Sequence, residues 1–203
     1  MKPLLWGNPE TIIQVADMLQ KGKVVLAAGD TVFGLLADIS QEGYAQLDAI
    51  KNRSKQPYLL LVENKEKALN LVEKGAAEVF QFEKLLDICW PGPATLILKA
   101  KPEVPEGVKS PEGNIAVRVP DHEGLLRLLH RFDALYSTSA NLKGKPVPAN
   151  LEGVDASILE SVSCVVLNDD ESGSTLASTI IDCTGNKPKI VREGAFAREK
   201  LGL

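Results

Sequence analysis

Hydrophobic and polar positions follow two alternating periods along this chain, and the switches between them mark its elements. Asn8-Pro9-Glu10 supplies a capping side chain, a first-turn proline and an acid for the positive end of a helix. Behind it, Ile12, Ile13, Val15, Ala16 and Leu19 recur at helical spacing as far as Lys21-Gly22. The apolar run Val24-Val25-Leu26-Ala27, within 23–28, predicts a buried strand that ends at the turn Gly29-Asp30. Helical spacing returns over 41–51, with Tyr44, Leu47 and Ile50 on one face, and 58–62 is a second wholly apolar strand. Helices are expected over 65–73 and 76–89, after which Trp90-Pro91-Gly92-Pro93 breaks the chain before a strand at 95–98. A strand at 115–119, an amphipathic helix at 123–132 and a short strand at 135–136 follow. Residues 143–150 form a Pro/Gly-rich loop, and 164–167, 179–182 and 189–191 are the last strands. Strands and helices interleave without clean βαβ repetition. The predicted class is α/β of the α+β type, a mixed sheet with helices on both faces, in one domain covering 1–203.

Composition narrows the class further. Of the 203 residues 44% are hydrophobic and 25% charged, the balance of a globular chain with enough material for a real core. A net charge of −4 excludes a uniformly basic nucleic-acid binder, although a local basic cleft is compatible with it. Cys89, Cys164 and Cys183 are odd in number and lack C-x-x-C spacing, which predicts buried free thiols in a reducing compartment and no zinc site. No apolar run has the length of a signal peptide core or a membrane span, so the expected location is cytoplasmic.

The candidate chemistry is defined partly by exclusion. His122 and His130 are the only histidines, and there is no G-x-S-x-G elbow, H-E-x-x-H pair, P-loop or strand-borne G-x-G-x-x-G. His122 is placed to cap a helix, and His130 to lie on a surface between Arg127 and Arg131. What remains is a distributed set of basic and hydroxyl residues. The run Ala134 to Tyr136 opens into Ser137-Thr138-Ser139-Ala140-Asn141, small groups that suit either a ligand beyond the end of a strand or an Asx-turn. Lys51-Asn52-Arg53 closes a helix, where cations favour the macrodipole; the same pair also has the make-up of a phosphate clamp, a point charge beside a fixed fork. Arg118 interrupts an apolar strand and needs either a core ion pair or a ligand. Arg192 precedes Glu193-Gly194 and is open to a surface ion pair with Glu193. The hydroxyl-rich stretch 172–179 reads as a surface loop or as part of a site.

The order of these segments is informative. Asp30-Thr31-x-Phe33-Gly34-Leu35, Lys51-x-Arg53, Trp90-Pro91-Gly92-Pro93-x-Thr95, Val117-Arg118-Val119-Pro120, Thr138-Ser139-Ala140-Asn141, Ser178-Thr179-Ile180-Ile181-Asp182 and Val191-Arg192-x-Gly194 run from about 22 to 194. The chain thereby resembles the YrdC-like threonylcarbamoyl-AMP synthase family, in its single-domain form. The resemblance implies a YrdC-like twisted mixed sheet with a basic concave face, linked to double-stranded RNA or tRNA binding. It implies a nucleotidyltransferase that makes threonylcarbamoyl-AMP and pyrophosphate from L-threonine, bicarbonate and ATP with Mg²⁺, for tRNA threonylcarbamoyladenosine modification by downstream transfer enzymes. By motif, Thr31, Arg118, Ser139 and Ser178 would hold threonine and its carbamate, and Lys51, Arg53, Asn141 and Arg192 the nucleotide. Lys51 and Arg53 would stabilise charge, with no general base and no protein metal site. The chain differs from the family's usual Pro-Thr-Asp/Glu-Thr-x-Tyr-Gly opening at Ala28, Gly29 and Phe33. Two other readings share the basic residues: an RNA-binding or ribosome-maturation module of the same fold, and a paralogue that adenylates a different carbamate.

Overall fold

Asn8 caps the first helix by accepting from the Glu10 amide at 3.0 Å, with Pro9 at the first helical position. The computed structural model describes residues 2–52, 57–73, 80–105, 108–170 and 176–201. In chain order it contains β1 (Leu4–Leu5), α1 (Pro9–Gln20), β2 (Val25–Ala27), β3 (Gly34–Asp38), α2 (Gln41–Lys51), β4 (Leu59–Leu61), α3 (Lys65–Leu71) and α4 (Phe80–Cys89). There follow β5 (Ala94–Lys99), β6 (Asn114–Arg118), α5 (Glu123–Leu129), β7 (Leu135–Ser139), α6 (Ala156–Ser161), β8 (Val165–Leu167), β9 (Thr179–Asp182) and β10 (Lys189–Arg192). The ten strands form one sheet in the order β1-β8-β2-β3-β7-β4-β6-β5-β9-β10. Its pairing is mixed, as expected: β2–β8, β4–β6 and β5–β9 are parallel, whereas β2–β3, β3–β7 and β5–β6 are antiparallel.

Strand parity divides the core between the two faces. Leu26, Leu35, Leu60, Leu96 and Val117 join a cluster with Leu47 of α2, Ala68 of α3, Leu86 of α4 and Ile158 of α6. Their neighbours Val25, Ala27, Leu36, Leu61 and Leu135 point the other way, into a second cluster with Ile12, Val15 and Leu19 of α1 and Leu125, Leu128 and Leu129 of α5. Burying each such aliphatic side chain is worth about 1.5–3 kcal/mol. The second cluster stops at β4. Beyond it, on the same face, Ile97, Ala116 and Ile180 are only half-buried, and no helix among the described residues covers them. One half of this face is therefore roofed by α1 and α5, and the other half is open.

Several sequence expectations need correction. β7 continues through Ser137, Thr138 and Ser139, because β3 pairs with its whole length, from Asp38 opposite Leu135 to Gly34 opposite Ser139. Those hydroxyls therefore lie within a strand rather than beyond its end. The helix expected to reach 73 ends at Leu71, since Val72 takes extended backbone and bridges to Ala100. The helix expected to reach 132 ends at Leu129. β1, β3 and α6 were not expected. Residues 76–79 of one expected helix lie outside the described residues.

Candidate active site

Arg118 is the last residue of β6, paired with Leu61 of β4, and its side chain lies on the face that is half roofed. It is 4% exposed, so its charge must be met inside the protein. Nη2 donates to Asp30 Oδ2 at 2.5 Å, Nη1 to Thr31 Oγ1 at 2.8 Å and Nε to the Gly92 carbonyl at 2.9 Å. Of the two readings the sequence left open, the ion pair is present. Burial pulls the guanidinium below its ordinary pKa and the Asp30 carboxylate opposes that pull; an arginine remains charged under both influences. Asp30 Oδ2 also accepts from the Asp121 amide at 2.9 Å, which ties the loop after β2 to the entrance of α5. Asp30 was not among the expected site residues, and nothing local in the sequence marks it as the partner of a residue 88 positions away.

A second group forms where α2 meets the end of β7. α2 closes at Asn52, whose left-handed backbone turns the chain away directly after Lys51. The Lys51 ammonium donates to the carbonyls of Ser139, at 2.7 Å, and of Asn141, and it is 5% exposed. It is thus a buried cation that pins the end of a strand. Ser139 Oγ donates to Asn141 Oδ1 at 2.6 Å, and Asn141 Nδ2 donates to the Lys145 carbonyl at 2.6 Å. Arg53, expected beside Lys51, lies outside the described residues.

A third group lies at the open end of the sheet. The Ser178 and Thr95 hydroxyls are 2.8 Å apart, and Arg192 Nη2 donates to the Ser178 carbonyl at 2.7 Å. Arg192 thus binds Ser178, while Glu193 lies 3.9 Å from Arg198. Gly194 makes this crossing possible: a Cβ there would stand 2.3 Å from the Ala177 carbonyl oxygen and 2.6 Å from Ser178 C. The glycine of the Val-Arg-x-Gly segment is therefore a close-approach residue.

Thr31, Arg118, Ser139 and Ser178 are gathered along one face by strand parity and by the loop after β2, with Thr31 bonded directly to Arg118. A recess on this face is floored by Ala27, Leu36, Leu61 and Ser137 and walled by Arg118 and Leu125. Ser137, Leu61 and Leu125 were not anticipated as site residues. For Ser137 a signal existed, since it shares the parity of Leu135 and Ser139. The remaining expectations are simpler to place. His122 caps α5, its Nδ1 accepting from the Leu125 amide at 3.2 Å, and His130 lies on the surface 2.8 Å from Glu63. The three cysteines are free, with Cys89 and Cys164 buried and Cys183 half-buried.

Comparison with known proteins places the chain in a family. The Sua5/YciO/YrdC family model, described as telomere recombination, matches residues 17–194. This chain belongs to the Sua5/YciO/YrdC family. A protein of Methanocaldococcus jannaschii, provisionally named threonylcarbamoyl-AMP synthase, is 32% identical over 96% of this chain and 92% of its own length. The threonylcarbamoyl-AMP synthase of Vibrio campbellii is 30% identical over 89% of this chain and 97% of its own. The crystal structure of P. abyssi Sua5 in complex with L-threonine superposes with a TM-score of 0.81 at 27% identity, covering 92% of this chain and 55% of that one. E. coli YciO shares the fold at a TM-score of 0.80 and 22% identity, over 98% and 97% of the two chains. Over nearly its whole length, then, this family member is related to enzymes.

Proposed function

We propose that this chain is an L-threonylcarbamoyladenylate synthase, a single-domain nucleotidyltransferase that converts L-threonine, bicarbonate and ATP into threonylcarbamoyl-AMP and pyrophosphate. The observation that carries the proposal is end-to-end relatedness to named synthases, 30% identity over 97% of the Vibrio campbellii enzyme. The geometry supports it. Thr31, Arg118, Ser139 and Ser178 would hold threonine and its carbamate on the half-roofed face; Lys51, Arg53, Asn141 and Arg192 would hold ATP. The threonine amine condenses with bicarbonate, losing water, to give the carbamate. A carbamate oxygen then attacks the α-phosphorus, and the electron pair of the broken P–O bond leaves on pyrophosphate. This step needs alignment and fixed positive charge more than a base. That requirement suits a site built from a buried arginine, a buried lysine and hydroxyls.

Among the described residues no group of three or more His, Cys, Asp or Glu side chains converges to hold a metal ion. In the proposed reaction Mg²⁺ would ride on the ATP phosphates, the ligands it favours alongside few protein carboxylates. No described helix is long and apolar enough to cross a membrane. In the proposed role the enzyme is cytoplasmic and hands its adenylate to downstream tRNA-modifying enzymes, with tRNA or double-stranded RNA as a further partner. The deciding experiment is pyrophosphate release from ATP with bicarbonate and Mg²⁺, with and without L-threonine and across the other amino acids. Threonine-dependent release is expected. ATP binding without release under any of these conditions would overturn the proposal.

A further inference from the structure

The recess beside Arg118 has a mixed lining. Arg118, Asp30, Thr31 and Ser137 contribute polar groups; Leu36, paired beside Ser137 on the sheet, contributes an apolar side with Leu61 and Leu125. Leu125 is the member of the apolar side that comes from a helix rather than from the sheet, and it is 5% exposed. Its position is interlocked with Gly29 across the recess. A Cβ at residue 29 would stand 2.8 Å from Leu125 Cδ1, closer than side-chain carbons approach one another. A side chain at residue 29 would therefore displace the Leu125 side chain from the place it holds in the recess. Leu125 is also held in register with the polar wall. Its amide donates to His122 Nδ1 at 3.2 Å, and the neighbouring Asp121 amide donates at 2.9 Å to the Asp30 oxygen that binds Arg118.

Resting on the synthase reading, we infer that Leu125 is a specificity-determining residue: with Leu36 and Leu61 it forms the apolar lining that reads the methyl group of a β-branched hydroxy amino acid, in the same recess as the Thr31 and Ser137 hydroxyls. Serine presents the hydroxyl and leaves the apolar wall uncovered. One methyl group in an apolar pocket discriminates by roughly 10–200-fold, and the wall supplies discrimination of that kind. Gly29 is its counterpart, the residue that leaves Leu125 room.

The test compares kcat/KM for pyrophosphate release with L-threonine and with L-serine, alongside thermal melts. Leu125→Ala is expected to lower the threonine value about tenfold and leave the serine value within about twofold, so that the ratio collapses. Leu128→Ala removes an equally buried side chain from the same helix that does not line the recess; it is expected to lower the melting temperature and leave the ratio intact. Gly29→Ala is expected to displace the Leu125 side chain and lower the threonine value, and Gly29→Ala/Leu125→Ala to fall no further than Leu125→Ala alone. Should Leu125→Ala melt below the assay temperature, Leu125→Val carries the same comparison. An unchanged ratio in a folded Leu125 variant, or losses from Gly29→Ala and Leu125→Ala that add in the double variant, overturns the inference while the synthase reading stands. Absence of release from the unsubstituted protein with every amino acid overturns both.

Discussion

The Asp30–Arg118 pair offers the sharpest test of how this site is held together. Arg118 is 4% exposed, and the Asp30 side chain 13%. Removing the carboxylate with Asp30→Ala leaves a guanidinium in the interior with only the Thr31 hydroxyl and the Gly92 carbonyl as acceptors among its bonds described above. Stranding a buried charge in this way costs about 3–5 kcal/mol. Against a typical total stability of about 5–15 kcal/mol that is a large fraction. It corresponds to a fall of roughly 6–20 °C in Tm for a chain of this size. Asp30→Asn separates charge from geometry. A single oxygen, Oδ2, accepts from both Arg118 and the Asp121 amide, so an amide oxygen in its place keeps both bonds and loses only the charge. Its expected cost is smaller, about 1–2 kcal/mol. In Asp30→Ala/Arg118→Met no charge is stranded, so the double variant should cost about 2–3 kcal/mol less than the sum of the singles. Urea denaturation with the slope m monitored measures all three. A cost under about 1 kcal/mol for Asp30→Ala at unchanged m, or additive single variants, would refute the view that Arg118 depends on Asp30 for its charge balance.

Lys51→Ala is expected to lower both pyrophosphate release and stability, because it unties the carbonyls of Ser139 and Asn141; Arg53→Ala should lower release alone, and paired melts and turnover assays distinguish them. Gly194→Ala places a methyl 2.3 Å from the Ala177 carbonyl oxygen. It should cost about 1–3 kcal/mol and loosen the Arg192 grip on Ser178, read as a raised KM for ATP together with a lower Tm. Glu63 bonds to His130 and Lys67, and these partners, His130 first, hold its carboxyl below the ordinary glutamate value of 4.5. A depressed carboxylate stabilises the fold above its unfolded pKa and loses that contribution as pH falls through the folded one, here below pH 4.5. Glu63→Gln should therefore flatten the acid limb of a pH–stability curve, by under about 1 kcal/mol for a partly exposed pair; an identical limb would count against the pairing.

The elements that were legible in the sequence carry their signal locally. α1 announces itself through Asn8-Pro9-Glu10 and the spacing of Ile12, Val15 and Leu19, and both β2 and β4 through unbroken apolar runs buried on two faces. β3 did not, because Gly34-Leu35-Leu36-Ala37-Asp38 is short and it is held on both sides, by β2 just before it and by β7 about 100 positions away. The same pairing draws Ser137, Thr138 and Ser139 into β7, so that the missed strand and the mistaken end of β7 are one error seen from two sides. The candidate site divides in the same way. The types and order of Thr31, Arg118, Ser139 and Ser178 are visible in one dimension, whereas the partner of Arg118, the acceptors of Lys51 and the wall at Leu125 exist only once distant segments meet.

That division follows from how the face is built. An arginine at the end of an apolar strand is tolerable only where a carboxylate can reach it, and Asp30 reaches it because β2 delivers the following loop to the rim of the roof formed by α1 and α5. Polar side chains of matching parity on β7, β5 and β9 would be a liability beneath that roof and are fully solvated far from it. At the rim they are neither, buried enough for directed hydrogen bonds to be worth more than in water and open enough, beside half-buried Ile97 and Ile180, to admit a substrate. Extending the roof would cover the recess and shortening it would expose Arg118, so on the proposed reading the position at which α5 ends its cover sets where a substrate can reach this sheet.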